Sequence, residues 1–355
     1  MNIKSLLLGS AAALVAATGA RAADAIVIAE PEPVEYVRIC DAYGAGFFYI
    51  PGTETCLRFD GYVRMQVGTN DVVDGWQVAT RARLNVDARS DTELGTLRGF
   101  MRLQADTSDT SYDTPFGNYD APFEMDQAIV QLGGFYVGYT ESAFAAPWGL
   151  PGISRFGIIP TDTGGVYAYQ QRQQIGYTFS GGNGVFGSIV LEDDVNDGEG
   201  YMPDVVGVLG ISQGWGGVWV KVGYDESEEE FGAQLAMQYN IPNMAGSNIR
   251  AAVYYASGAG DDLGLNAYAL RTPVGGDVVE WNVTAAYSHR FDAQWSATLG
   301  GQYFETFVGT DAWLVEGHII WVPVTNFEVR LEATYADEGI DGDMSKGFLR
   351  FTRYF

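Results

Sequence analysis

Positively charged residues are scarce in this chain. Its 355 residues include 20 lysines and arginines against 45 aspartates and glutamates, and the formal net charge is −25 at pH 7. No basic stripe is available to neutralise phosphates, which argues against nucleic acid as a partner. After the first 22 residues no segment shows an apolar period of 3.6 residues, and the mean hydropathy is −0.03. These two absences exclude a helical membrane protein.

The first 22 residues have the pattern of a secretory signal. Lys4 supplies the positive charge, residues 6–18 (LLLGSAAALVAAT) form a short apolar core, and residues 20–22 (ARA) have the small-x-small form of a cleavage site. The apolar run is too short to cross a bilayer as a helix. The alternative is a buried N-terminal helix of a cytosolic domain. We expect residues 1–22 to be removed, so that the mature chain begins at Ala23.

Cysteine and histidine are also rare, with two residues of each. Two cysteines in an exported protein most simply pair, and closing the loop between Cys40 and Cys56 would add roughly 3 kcal/mol in the chain-entropy treatment. A metal site lacks partners, because His289 and His318 lie far from both cysteines in the sequence. The H-E-x-x-H and C-x-x-C motifs are absent. An outer-membrane hydrolase that uses His318 is an alternative for which we identify no nucleophile.

The dominant pattern is the alternation of apolar and polar residues, which is typical of β-strands with two different faces. In the segment 327–335 (FEVRLEATY), Leu331 and Tyr335 fall on one face and Glu332 falls on the other. The same pattern along the chain predicts sixteen strands, at 57–67, 76–89, 95–106, 124–133, 134–140, 172–180, 184–192, 203–212, 217–225, 231–240, 248–257, 280–291, 294–305, 312–322, 326–335 and 347–355. We assign the segment 263–271 to a loop.

The links between these strands alternate in length. Seven links are short, such as the Gly133-Gly134 turn and residues 292–293, whereas the others tend to be longer. This alternation predicts an all-β fold, a transmembrane up-and-down antiparallel β-barrel. A large soluble β-sandwich is the alternative. The barrel is favoured because many aromatic residues fall near predicted strand ends, where membrane interfaces lie: Trp76, Trp281, Trp295, Trp313, Trp321, Tyr224, Tyr239, Tyr255, Tyr287, Tyr303 and Tyr335.

Arginines are concentrated on the polar face of the first three predicted strands, which would line the barrel interior. Sixteen strands are too many for side chains to fill, so the interior should hold an aqueous channel. Five arginines fall nearest to mid-height and are predicted to form an arginine wall at the constriction: Arg64, Arg81, Arg83, Arg98 and Arg102. Arg58 and Arg89 share their face. The alternative is that these polar positions carry arginine by chance.

The longest link, residues 141–171, is apolar for a surface loop and includes Phe144, Trp148 and Phe156. A long loop with its own hydrophobic content usually packs against something. We expect this third extracellular loop to fold into the pore and to face the arginine wall with Glu141 and Asp162. A transverse field at that level would sort small solutes by size and charge. A surface lid, or a contact with a neighbouring subunit, is the alternative.

Other long links carry acidic runs, at 192–199, 225–230 and 337–343. The simplest interpretation is a solvated acidic rim at the mouth of the barrel. Such a rim could hold divalent cations between the protein and anionic lipid head groups. No other cofactor is expected.

Two segments resemble the alphaproteobacterial porins. Residues 32–64 (EPVEYVRICDAYGAGFFYIPGTETCLRFDGYVR) resemble the mature N-terminus of that family, and residues 347–355 (GFLRFTRYF) resemble its C-terminus. The likeness spans essentially the whole chain. It implies a sixteen-stranded, trimeric diffusion porin of the outer membrane, with the third loop folded inward and Cys40 paired with Cys56. It also implies that the barrel assembly machinery reads the terminal Phe355.

The sequence thus predicts a periplasmic segment at 23–56 and a barrel at 57–355 in the bacterial outer membrane. The expected function is passive diffusion of small hydrophilic solutes and ions, without enzymatic activity. A substrate-specific channel, or a structural or adhesive barrel with an occluded pore, is the alternative. The expected partners are two further copies of the chain in a homotrimer, outer-membrane lipid with lipopolysaccharide, and the assembly machinery.

Overall fold

A computed structural model describes residues 38–70, 73–108, 123–146, 165–194, 202–260, 265–339 and 342–355. The predicted signal at 1–22, the segment 23–37 and the centre of the loop 141–171 lie outside these residues. In the part of the chain that is described, no helix has the length and apolar character needed to cross a membrane.

The described residues form sixteen long antiparallel strands, and each strand pairs with its neighbours in sequence. The strands are β1 (Cys56–Asn70), β2 (Val73–Thr92), β3 (Gly95–Ser108), β4 (Phe123–Leu132), β5 (Phe135–Glu141), β6 (Gln171–Ser180), β7 (Val185–Glu192), β8 (Asp204–Gln213), β9 (Gly216–Asp225), β10 (Glu230–Asn240), β11 (Asn248–Ala256), β12 (Val278–Arg290), β13 (Trp295–Thr306), β14 (Asp311–Val324), β15 (Phe327–Asp337) and β16 (Asp343–Tyr354). The predicted number of strands is confirmed.

The last strand closes the barrel by pairing with the first. Strand β16 is antiparallel to β1 from Lys346 opposite Asn70 to Tyr354 opposite Tyr62. The seam ends at Gly61, whose N–H donates to the Phe355 carbonyl over 3.2 Å. A Cβ at Gly61 would lie 2.1 Å from a backbone oxygen of β2, so only glycine fits there. Closure leaves no unpaired sheet edge among these strands.

The predicted alternation of faces is also confirmed. In β15, Leu331 is 55 % exposed, whereas Glu332 is 1 % exposed. Directly opposed residues on antiparallel strands share a face, and Leu331 lies opposite Leu349 of β16. Apolar side chains therefore cover the outer face of the barrel, and most polar side chains point inward, as a barrel in lipid requires.

Aromatic residues near the strand ends lie on the outer face, as predicted. Trp295 at the start of β13 lies opposite Trp321 of β14, and their rings stack with centroids 5.6 Å apart. Trp313 and Tyr335 form a second pair, with centroids 5.4 Å apart. All four side chains are exposed. Such rings are suited to the interfaces between lipid and water.

Strand pairing extends into two segments that were predicted to be links. The link after the first strand was predicted at 68–75, but β1 runs to Asn70 and β2 begins at Val73. Backbone pairing continues there, with Gly68 opposite Gln77, although the apolar alternation has ended. Within the predicted loop 263–271, Leu270 and Arg271 pair with the start of β12. Strand pairing needs no side-chain pattern, so alternation alone could not find these extensions.

The barrel interior is unevenly filled. Apolar side chains on the inner face of β7 to β14 pack around Phe144 and Tyr268, which come from two long links. Phe144 is fully buried and Tyr268 is 1 % exposed. The inner face of β1 to β3 carries the predicted arginines instead. The interior thus has an apolar, loop-filled side and a charged side.

Candidate functional site

The predicted arginine wall lies on the inner face of β1 to β3. Arg64 and Arg81 are directly opposed between β1 and β2, and Arg102 of β3 lies opposite Asn85 of β2. Arg83 lies between these two levels on β2. The structure therefore brings four of the five residues together on neighbouring strands.

Arg98, the fifth residue of the arginine wall, lies nearer to the short-turn end of the barrel. It is opposed to Arg89 of β2 and lies four residues from Arg102 along β3, which corresponds to roughly 13 Å. Arg98 and Arg89 both donate to the Asp87 carboxylate, at 3.0 Å and 2.7 Å for the closer nitrogen. Asp87 is fully buried between them.

Carboxylates that neutralise the arginines come from the same strands. Arg81 pairs with Asp106 of β3. Arg58 pairs with Asp60 at 2.9 Å. The repulsion between directly opposed arginines is thus offset within the sheet, by groups that were not among the predicted site residues.

Asp126 supplies a further carboxylate through an irregularity in β4. Arg102 lies opposite Gln127, and the next residue of β3, Leu103, lies opposite Met125. This register shift leaves Asp126 as an extra residue, a β-bulge. Its carboxylate lies 3.4 Å from Arg102 and 3.7 Å from Arg83. A one-residue bulge breaks the alternation of faces, and for that reason the sequence pattern gave no sign of this inward-facing acid.

Two more arginines extend the charged side across the seam of the barrel. Arg330 of β15 and Arg350 of β16 are directly opposed. Arg350 donates to Gln66 of β1 over 2.7 Å, next to the arginine wall. Arg330 pairs with Glu328 at 3.0 Å. These residues are more than 260 positions from Arg64 in the sequence, so only the closure of the barrel reveals their proximity.

The two described flanks of the loop 141–171 are bonded to the inner face of the barrel. Ser142 and the N–H of Ala143 donate to the Glu192 carboxylate at 2.8 Å and 2.7 Å. Lys221 of β9 donates to the Phe144 carbonyl over 2.9 Å and to the carbonyl of Ala146. The first flank is therefore held by one buried carboxylate and one buried ammonium group.

The second flank is bonded to a distant strand. Val166 and Gln302 of β13 exchange two hydrogen bonds of 2.8 Å each, although the chain joins β6 at Gln171 only five residues later. Strands β6 and β13 are seven positions apart around a ring of sixteen. The described end of this link therefore departs from the wall of β6 and reaches the other side of the barrel.

The link between β11 and β12 also contacts the inner face. The Tyr268 hydroxyl lies 3.1 Å from both Glu192 and Asp204. Its ring meets Phe144 edge-on, with centroids 5.4 Å apart. Burial, reinforced by these carboxylates, raises the pKa of Tyr268, so the hydroxyl stays protonated and donates. This second link thus packs on the first flank of the loop 141–171.

One of the two acids that are predicted to face the arginine wall lies among the described residues. Glu141 ends β5 and is 4 % exposed. Glu141 and Glu192 both place a negative charge near the buried ammonium group of Lys221. Asp162 lies outside the described residues. The contact of both acids with the arginine wall remains a prediction.

The cysteines form the predicted disulfide. Cys40 and Cys56 are bonded, with their Cα atoms 5.9 Å apart. The closed loop presents Phe47, whose ring lies 4.8 Å from the Arg58 guanidinium carbon and 5.2 Å from that of Arg89. Cation–π contacts of this kind attach the loop to the inner face at the start of the barrel.

Motifs for catalysis or metal binding are weak in the described residues. These residues contain no group of three or more histidine, cysteine, aspartate or glutamate side chains that could hold a metal ion. The sequence contains one G-x-S-x-G match, at 210–214. It runs from the end of β8 into the turn before β9, so it is not the strand–turn–helix elbow that a serine nucleophile needs.

Comparison with known proteins identifies the family. Residues 24–348 match the family described as the Porin subfamily. The chain belongs to this porin family. Porin Omp2b of Brucella suis biovar 1 (strain 1330) and Porin Omp2b of Brucella canis are each 40% identical to it, and each alignment covers 100% of both chains. This porin is therefore a channel of the bacterial outer membrane for passive diffusion.

Solved structures show the same fold at low sequence identity. The outer-membrane channel DcaP of Acinetobacter baumannii gives a TM-score of 0.63 at 13% identity, covering 86% of this porin and 99% of DcaP. An anion-selective porin from Comamonas acidovorans gives a TM-score of 0.59 at 10% identity, covering 85% and 100%. These likenesses support the closed barrel alone.

Proposed function

We propose that this porin is a general diffusion channel whose constriction lies between the arginine wall and the loop 141–171. The observation that carries the proposal is the pair of hydrogen bonds between Val166 and Gln302. A link that is bonded both at β6 and near the opposite side of the ring supports a path across the interior. Its crossing would narrow the channel opposite β1 to β3.

The charges on the two sides of the proposed constriction favour small hydrophilic solutes. Arg64, Arg81, Arg83 and Arg102 present a positive surface that is partly neutralised within the sheet. Glu141, Asp162 and the acidic links at the mouth would supply the opposite sign. Fixed charges of both signs across a narrow water column discriminate by charge and size without a tight binding site.

Single-channel conductance in a planar bilayer tests this proposal. We expect a large ohmic current that sugars leave unchanged, because a general channel holds no solute tightly. A current that is blocked by micromolar solute would contradict the proposal and indicate a substrate-specific channel. The absence of any current would indicate a structural or adhesive barrel with an occluded pore.

We also infer that the porin assembles as a homotrimer. Strands β4 and β5 are short, with 10 and 7 residues, and offer a low stretch of outer wall for a neighbour. One barrel of similar fold, OmpT of Vibrio cholerae, is described in a trimer form. Chemical cross-linking in outer-membrane vesicles should give a product of three chains; a product that stops at one chain contradicts the trimer.

Two further partners follow from the ends of the barrel. We propose that the acidic links hold divalent cations shared with lipopolysaccharide, because the runs at 192–199 and 225–230 each place several carboxylates close together in the sequence. We also propose that the assembly machinery reads Phe355, whose side chain is 55 % exposed at the end of the closing seam. Loss of assembled barrel in a Phe355→Ala variant, with unchanged synthesis, is the expected result.

A further inference from the structure

Asp126 lies at the centre of a charge imbalance in the arginine wall. Among the described residues it is the one carboxylate within salt-bridge distance of Arg83, at 3.7 Å, and of Arg102, at 3.4 Å. The other side-chain hydrogen bonds of these arginines go to neutral amides, with Gln104 at 2.6 Å from Arg83 and Asn85 at 3.0 Å from Arg102. The trio of Asp126, Arg83 and Arg102 therefore has two positive charges and one negative charge.

Other arginines on the same strands differ from this trio in their charge balance or in their height in the barrel. Arg81 has its own carboxylate, Asp106. Another group with excess positive charge, formed by Arg58, Arg89 and Arg98 around Asp60 and Asp87, lies at the disulfide end of the barrel. Aromatic rings of the disulfide loop already cover part of that group. At the trio, by contrast, a single acid at mid-height is shared between two arginines.

The bulge in β4 gives Asp126 its position. A residue in regular register at this point would alternate with Gln127 and point outward, whereas the extra residue turns inward beside it. The Asp126 side chain is 10 % exposed, so its carboxylate lies next to the water of the lumen. Gln171, at the start of β6, donates to the same carboxylate over 3.4 Å. Asp126 therefore lies between the arginine wall and the end of the loop 141–171.

We propose that Asp126 is the specificity-determining residue for the sign of the ions that this porin passes. Its carboxylate cancels one of the charges of Arg83 and Arg102, so this trio keeps a single excess positive charge and the constriction admits both cations and anions. The proposal rests on the proposed function, in which the arginine wall lines the constriction. It adds that an acid within the wall, and not the total of acidic residues in the chain, sets the preference.

Reversal potentials across a potassium chloride gradient test the proposal. Asp126→Asn keeps the size of the side chain and leaves two uncompensated arginines, so the ratio of potassium to chloride permeability should fall by up to about fivefold, the effect of a unit charge near 4 Å in water. Asp126→Glu should keep the wild-type ratio. Asp311→Asn is the matched control, because it removes the same charge from an exposed residue at the start of β14. An equal shift in both asparagine variants would overturn the proposal.

A second pair of variants tests the same idea without relying on Asp126→Asn alone. Arg102→Gln leaves one arginine and one carboxylate, so the permeability ratio should rise. Asp126→Asn combined with Arg102→Gln restores a single positive charge, so its ratio should return to the wild-type value. A double variant that shifts by more than twofold in either direction would contradict charge cancellation at this trio.

The outcome also separates this proposal from the proposed function. If replacement of Arg81, Arg83 and Arg102 together changes the ion preference but Asp126→Asn does not, only the role of Asp126 is wrong. If neither replacement changes it, the arginine wall does not line the constriction, and both proposals fail.

Discussion

The hydroxyl of Tyr268 donates to the carboxylate of Glu192 over 3.1 Å, and Glu192 also accepts hydrogen bonds from Ser142 and Ala143. One buried acid therefore joins two long links of the porin to the barrel wall. The ring of Tyr268 also fills the space beside Gly223, where an added Cβ would lie 2.4 Å from it. This contact makes the apolar side of the interior a single packed unit.

Replacing Tyr268 should loosen that unit. Tyr268→Ala removes a buried aromatic ring, so we expect a loss of about 3–5 kcal/mol in the free energy of unfolding. Tyr268→Phe keeps the ring and removes the hydroxyl that donates to the carboxylates, with an expected loss of about 1.5–3 kcal/mol. Urea unfolding of the porin in lipid vesicles measures both. Tyr224→Phe, on the outer face, is the control, and an equal effect there would contradict the role of the hydroxyl.

Lys221 should be as important as Tyr268 for the first flank of the loop 141–171. Lys221 is 1 % exposed, and its ammonium group donates to the carbonyls of Phe144 and Ala146. Lys221→Met leaves those two carbonyls without their donor and removes a buried positive charge from beside Glu141 and Glu192, which should cost about 3–5 kcal/mol of stability. Lys346→Met, at a half-buried position of β16, should cost much less. Equal unfolding midpoints for the two variants would show that Lys221 does not hold the flank.

The disulfide loop should show a high-pH transition. Burial and the 2.6 Å hydrogen bond to Asp91 raise the pKa of Tyr43 to about 12. Since the folded state favours the protonated phenol, this contribution to stability is complete below the ordinary pKa of 10.0 and is lost as the pH rises towards about 12. The difference in phenolate absorbance between wild type and Tyr43→Phe measures the transition. A midpoint near the ordinary value of 10.0 would contradict the hydrogen bond to Asp91.

Shortening the loop 141–171 should widen the channel. A deletion of residues 149–162 keeps both described flanks, with their bonds to Glu192, Lys221 and Gln302. If the deleted part narrows the pore, single-channel conductance should increase, because a wider water column carries more ions. The same conductance in the wild type and the deletion variant would place the constriction elsewhere.

Regular features of this porin could be predicted from the sequence because they depend on side-chain alternation. The outward Leu331 and the inward Glu332 follow directly from a period of two residues. The pairing of β16 with β1 follows from the predicted barrel, since a barrel in lipid leaves no sheet edge.

Other features of the site could not be predicted, because they depend on where distant residues meet. The inward position of Asp126 requires a one-residue bulge that interrupts the alternation. The proximity of Arg350 to Gln66 depends on the register of the closing seam. The contact of Tyr268 with Glu192 depends on the path of a long link, for which sequence patterns give no rule.

The most direct test of the arginine wall is the reversal potential of the variant with Arg81, Arg83 and Arg102 all replaced by serine. Removing three positive charges from the constriction should shift the preference towards cations, with a higher ratio of potassium to chloride permeability than in the wild type. An unchanged ratio in a conducting variant would contradict the arginine wall as the element that selects ions in this porin.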